Sequence, residues 1–189
     1  MSLYMIDYDE SLLNPFTDVS EDAYYFDAVL WAVNEGITNG TSAATFSPDA
    51  SCTRAQMATF LWRAAGSPDP VGSSNPFTDV SADAYHAKAV QWAVEQDITV
   101  GTSDTTFSPD ADCTRAQMAT FLWRNAGSPA TASVSNPFTD VPAEAYYTKA
   151  VQWAYEQEIT GGTSATTFSP NNICTRAQMV TFLYRYFVK

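Results

Sequence analysis

The chain has 189 residues, with 9 Lys plus Arg against 21 Asp plus Glu, and a formal net charge of −12. That balance excludes a nucleic-acid binder, which neutralises phosphates with clustered cations, and it disfavours an anionic membrane surface. No run of about 18 apolar residues occurs, so no helical membrane span is expected.

Residues 1–13, opening Met-Ser-Leu, read as a lead or expression start on an excised fragment, with no secretory leader visible. Then Asn14-Pro15-Phe16-Thr17-Asp18-Val19 begins a pattern that returns at 75–80 and 136–141, a step of 61 residues. Cys-Thr-Arg-Ala-Gln-Met keeps the same step from Cys52, Cys113 and Cys174. A fixed period marks a repeat architecture, with units 14–74, 75–135 and 136–189. One unit is close to the lower size limit for a private core, so three units sharing one core are expected.

Each unit reads as helix, ordered loop, helix. In the third copy, Asn136 to Val141 forms a turn-like lead-in anchored by Phe138. Pro142 suits a first helical position, and Glu144 the first turn. Tyr147, Ala150, Val151 and Ala154 then form a helical stripe between Ala145 and about Gln157. A Gly/Ser/Thr-rich connection from Ile159 to Pro170 follows, pinned by Ile159 and Phe168. Ordered loops of this length are often functional.

The second helix opens on Thr175-Arg176-Ala177-Gln178, a capping box shared with Thr53–Gln56 and Thr114–Gln117. Gly66 and Gly127 suit its C-terminal stop. Linkers at Ser67–Ser74 and Ser128–Ser135 lead to the next unit. The units are nearly alike and none resembles a terminal cap, which favours closure over an open solenoid. The fold class expected is all-α: three helix–loop–helix repeats closed about a pseudo-threefold axis, with a central bundle of three second helices and three lobes.

Six of the nine basic residues are repeated pairs: Arg54/Arg63, Arg115/Arg124 and Arg176/Arg185. Arg54, Arg115 and Arg176 open a helix, the unfavourable end for a cation by a few tenths to about 1 kcal/mol. Two explanations compete. One is a salt bridge to Asp18, Asp79 or Asp140. The other is an anion site of exposed helix N–H groups and guanidinium forks. Both hold if the Asp only orients the Arg.

Repeated aromatics (Tyr24/Tyr85/Tyr146, Trp31/Trp92/Trp153, Trp62/Trp123/Tyr184) suit core packing, or stacking on a sugar face at a groove edge. His86, the only His, replaces Tyr25 and Tyr147 of the sister copies and reads as a surface substitution. Cys52, Cys113 and Cys174 read as small buried apolar residues, without metal-ligand spacing. No nucleophilic triad, P-loop or dinucleotide fingerprint occurs. No catalytic residue, metal ligand or cofactor is assigned, and no enzyme activity is expected.

The ordered set Phe-Thr-Asp-Val, Ala-Val-x-Trp-Ala, Ile-Thr-x-Gly-Thr, Thr-Phe-Ser-Pro and Thr-Arg-Ala-Gln, three times over 14–189, resembles the S-layer homology (SLH) family. The resemblance implies a module exported to the cell wall or surface. It would anchor its parent protein by holding an anionic, often pyruvylated, secondary cell-wall polysaccharide in grooves between lobes. Self-association or a protein partner is the alternative. The family's groove Arg maps to Arg54, Arg115 and Arg176, and its lead-in Asp to Asp18, Asp79 and Asp140. Its early aromatic maps to Tyr24, Tyr85 and Tyr146, and its loop Gly to Gly40, Gly101 and Gly162. Lys88 and Lys149 join this candidate set. Gln56, Gln117 and Gln178 depart from the family's Glu. Asp27 stands where the other copies carry Lys88 and Lys149, so unequal grooves are expected, with the one beside Asp27 weakest for an anion.

Overall fold

A computed structural model describes residues 14–72, 75–132 and 136–189. The lead at 1–13 and the ends of both linkers lie outside the described residues. The described chain contains six helices and no strand: α1 (Phe26–Asn34), α2 (Arg54–Ala64), α3 (Ala87–Glu95), α4 (Arg115–Asn125), α5 (Thr148–Glu156) and α6 (Arg176–Phe187).

The lead-in hexapeptide folds on its Asn. Asn14 Oδ1 accepts from the Phe16 amide at 3.0 Å while its Nδ2 donates to the Val19 carbonyl at 2.8 Å. This turns the chain and buries Phe16 against Phe46, ring centres 5.7 Å apart. The first helices start later than the apolar stripe suggests. Residues 142–147 form turns in which Ala145 N–H donates to Pro142 O and Thr148 N–H to Ala145 O. These three-residue closures are tighter than α-helix, so Pro142 lies in a turn and α5 begins at Thr148.

The second helices match their sequence signals. Thr53, Thr114 and Thr175 accept from the amide of Gln56, Gln117 and Gln178, whose side chains return the bond. α2 and α4 end in a Schellman pair at Gly66 (φ 88) and Gly127 (φ 81), with Ser67 N–H on Trp62 O and Ser128 N–H on Trp123 O.

Each helix pair is formed between repeats rather than within one. α2 packs on α3, α4 on α5, and α6 returns to α1. The second helices also meet, α6 touching both α2 and α4. Beneath them, Cys113 N–H donates to Cys52 O, Cys174 N–H to Cys113 O and Cys52 N–H to Cys174 O, at 2.8–3.0 Å. Repeat 3 thus meets repeat 1 through the same kinds of contact by which repeat 1 meets repeat 2. The thiols are free and fully buried, and burial pushes those of Cys52 and Cys113 up to about 12. Among the described residues, no group of three side chains is placed to hold a metal ion.

One sequence expectation is overturned here. His86 is a buried residue, 9% exposed, lying edge-on to Tyr85 with ring centres 4.8 Å apart. The position takes a large, partly buried aromatic in the sister copies, and the smaller imidazole sinks into the same space.

Candidate functional site: grooves built from three repeats

The loop between the two helices of a unit is fixed by the lead-in Asp. Asp79 accepts from the amides of Phe107 (2.8 Å) and Ser108 (2.7 Å). Asp18 does the same for Phe46 and Ser47, and Asp140 for Phe168 and Ser169. The three Ser are left-handed, φ 56–58, so each carboxylate clamps a strained residue. Gly40, Gly101 and Gly162 are required nearby. All have φ 83, and a Cβ on Gly162 would lie 2.5 Å from both the Phe138 ring and the Thr167 carbonyl.

The helix-start arginines reach across repeats to these same loops. Arg54 Nε donates to Phe107 O, Arg115 Nε to Phe168 O and Arg176 Nε to Phe46 O, all at 2.8 Å. Each of these Arg residues is 3–4% exposed, and each guanidinium lies between two Phe rings, Phe107 and Phe121 in the case of Arg54. Burial lowers the arginine pKa in all three.

No ion pair joins these arginines to Asp18, Asp79 or Asp140. The acid and the base instead hold opposite sides of one Phe residue, the acid its amide and the base its carbonyl. The helix-end donors invoked for an anion site are also spent. Arg54 and Ala55 amides donate to Ala111 O and Pro109 O of the next repeat, and α4 and α6 repeat the scheme. What remains is guanidinium: Nη2 of Arg54 and of Arg115 is buried without a hydrogen-bond partner. Arg176 Nη2 meets Thr38 Oγ1 at 3.5 Å.

Two cavities of about 350 Å³ lie over these groups. One is lined by Arg54, the Thr99–Thr102 loop with Gly101, Arg124 and Tyr146. The other is lined by Arg115, the Ile159–Thr163 loop with Gly162, Arg185 and Tyr24. Each therefore takes its Arg, loop and Tyr from three different repeats. By repeat correspondence, Arg176, Gly40, Arg63 and Tyr85 make the third set. Tyr24, Tyr85 and Tyr146 are 62–65% exposed, whereas Trp92 and Trp153 are buried in the core. Partial burial raises the Tyr24 phenol pKa, and Arg115 pulls it the other way.

The remaining candidates lie elsewhere. Asp18, Asp79 and Asp140 act behind the loops and line neither cavity. Lys88 pairs with Asp69 at 2.8 Å, the ion pair found among the described residues. Lys149 and Asp27, exposed like Lys88 on the first turn of their helices, also line neither cavity. Sequence reasoning missed Arg124 and Arg185 as wall residues. Each donates Nη1 to a loop carbonyl, Ile98 O and Ile159 O, at 3.2 Å. Their signal was present in the repeated second Arg of each pair.

The fold and grooves define a class: an all-α module of three tandem repeats whose clefts are lined by arginine, tyrosine and small polar loops. The family model for the S-layer homology domain matches residues 15–58, 76–119 and 137–180, and the chain belongs to that family. It is 32% identical over 171 residues to an endoglucanase of a Bacillus species (strain KSM-635), covering 87% of this chain and 18% of that protein. It is 30% identical over 161 residues to cell surface glycoprotein 1 of Acetivibrio thermocellus, covering 77% of this chain and 7% of that protein. A cell surface protein of Thermoanaerobacter kivui is 34% identical over 119 residues, 60% of this chain and 15% of its own length. The chain spans less than a fifth of each of these relatives.

Proposed function

We propose that the module anchors its parent protein non-covalently to the bacterial cell wall, by holding an anionic secondary cell-wall polysaccharide in the inter-repeat grooves. It does so as a binding module without chemistry of its own, on a protein exported to the cell surface. The observation that carries this reading is the buried guanidinium with no partner for Nη2, beneath an exposed tyrosine, in two grooves. A buried cation calls for an opposite charge. A carboxylate on a sugar, such as a pyruvyl ketal, supplies that charge, and the sugar supplies a face for the ring. Family membership and the surface proteins among the relatives support the same reading. The net charge of −12 is no obstacle, since repulsion is screened beyond about 8 Å at physiological salt.

The test is sedimentation with purified cell-wall polysaccharide. Arg54→Ala/Arg115→Ala/Arg176→Ala should lose binding. Because these arginines also brace loops, Tyr24→Ala/Tyr85→Ala/Tyr146→Ala serves as the variant that leaves the core intact. Wild-type binding by the tyrosine variant, or none by the wild type, sinks the groove reading. Concentration-dependent oligomers without polymer binding would point to self-association instead.

A further inference from the structure

The groove under Tyr24 opens onto a second space. A larger cavity of about 850 Å³ adjoins it and shares Thr160, Gly161 and Arg185 with it. Between the two runs the backbone of Gly161, which has no side chain to stand as a wall. The sister positions carry Asn39 and Val100, the latter 70% exposed. The outer cavity also holds Tyr155, 38% exposed and edge-on to Phe138, where the sister copies have Val33 and Val94. Repeat 3 alone combines the missing wall with an added ring.

Charge differs along this trough. The inner cavity is lined by the cations Arg115 and Arg185 and by no acid. The outer one sets Arg185 and Lys189 against Glu156 and Glu158. Glu156 is already engaged, accepting from the Ala132 amide at 3.0 Å and the Gln152 amide at 3.1 Å. A polymer with one acidic end fits this gradient in a single direction.

We infer that the Tyr24 groove is an extended polysaccharide site that reads several sugars. The acidic end lies at Arg115, and the neutral sugars behind it cross Gly161 to stack on Tyr155, with Gln157 and Glu158 accepting their hydroxyls. The grooves under Tyr146 and Tyr85 take the acidic end alone. This rests on the wall-polymer reading above.

Gly161→Val tests it. Gly161 is not left-handed, and an added Cβ meets nothing within 4 Å, so the side chain raises a wall without straining the fold. The background is Tyr85→Ala/Tyr146→Ala, which leaves the Tyr24 groove as the working one. Two probes are titrated by calorimetry: polysaccharide purified from Gram-positive peptidoglycan, intact, and its acidic-end fraction of a few sugars. The background protein should bind intact polymer roughly tenfold more tightly than the short fraction, the scale of one aromatic stack. Gly161→Val, and separately Tyr155→Val, should bring that ratio close to one. An unchanged ratio in Gly161→Val, or a ratio near one before any change, overturns the extended site and leaves the anchor reading standing. Failure of the wild type to bind either probe sinks the anchor reading itself.

Discussion

Replacing Asp79 with Asn should cost the fold about 2 kcal/mol, from the loss of one of two charge-assisted bonds and the weakening of the other. Asp79 Oδ1 holds the Phe107 amide and Oδ2 the Ser108 amide. Hydrogen bonds to charged groups contribute about 1.5–3 kcal/mol each, and the low end applies because Asp79 is exposed. Asn offers one acceptor and turns an N–H₂ towards the other amide. Asp79→Ala loses both, about 3 kcal/mol. The bonds matter beyond their own energy because Ser108, at φ 58, sits where a non-glycine residue is disfavoured by about 1–2 kcal/mol. Phe107 O is also the acceptor for Arg54 Nε, so the loss reaches repeat 1. Urea denaturation at pH 7 should show a lower midpoint with the slope unchanged. An acid limb gives an independent check. Partial burial pushes the Asp79 carboxyl up, but the Phe107 and Ser108 amides outweigh it and hold its pKa below the ordinary value of 3.8. Its stabilisation is therefore complete above the unfolded-state pKa and disappears as pH falls through the lower folded-state value. Asp79→Asn should lack that part of the acid loss. A wild-type midpoint and an unchanged acid limb would refute the clamp.

His86 has both ring nitrogens buried without a partner, and burial lowers its pKa from 6.5 against the pull of Asp110 and Asp79. The unfolded chain therefore takes up this proton at a higher pH than the folded state does. Stability is thus lost as pH falls from there to the folded-state value, by at most about 1.4 kcal/mol per pH unit. His86→Tyr, the sister residue, should lose less stability than wild type between pH 7 and 5 in thermal melts, and parallel curves would contradict this. Glu158 ends α5 at φ 57, where repeat 1 has Gly36 at φ 66. Glu158→Gly should raise stability by up to about 1 kcal/mol, and a lower melting temperature would refute the strain assigned there. Cys52, Cys113 and Cys174 should resist maleimide at pH 7.5 and all label in urea; fast labelling of the native protein would contradict their burial.

The local features were legible because their signals are local. The capping boxes and the Gly66 and Gly127 stops needed only residues three or four apart. The helix starts were less so, since an apolar stripe runs as readily through successive tight turns at 142–147 as through an α-helix. Long-range partners were not legible. Arg54, Arg115 and Arg176 each end on a Phe carbonyl, and the amides beside them on carbonyls of a Pro and of Ala111, Asn172 or Ala50. A carbonyl is common to every residue type, so no side chain announces it as an acceptor. The charge-based alternatives of salt bridge and helix-end anion site looked complete for that reason. Family resemblance gave the Arg, Tyr and Gly positions of the candidate grooves. It did not give which copies meet, and the meeting is between copies: Arg54 with Gly101 and Tyr146, Arg115 with Gly162 and Tyr24.

That crossing explains why three units occur together. A single repeat lacks the helix on which its first helix chiefly packs, because α1 packs on α6, α3 on α2 and α5 on α4. It also leaves its second helix uncapped at two amides, which the next loop satisfies. Unpaired buried amides and an uncovered apolar face each cost more than a unit of this size can recover. Two repeats would mend one junction and leave the others open. With three, the first two amides of each second helix, Arg54, Arg115 and Arg176, and every cysteine amide find their acceptors in another copy. The same exchange builds the candidate grooves, so stability and the surface proposed for binding arise from one set of contacts. A substitution at Arg54, Arg115 or Arg176 therefore acts on both. One at Tyr24, Tyr85 or Tyr146 acts on the surface alone, and binding measurements on the two sets separate what the fold needs from what the ligand needs.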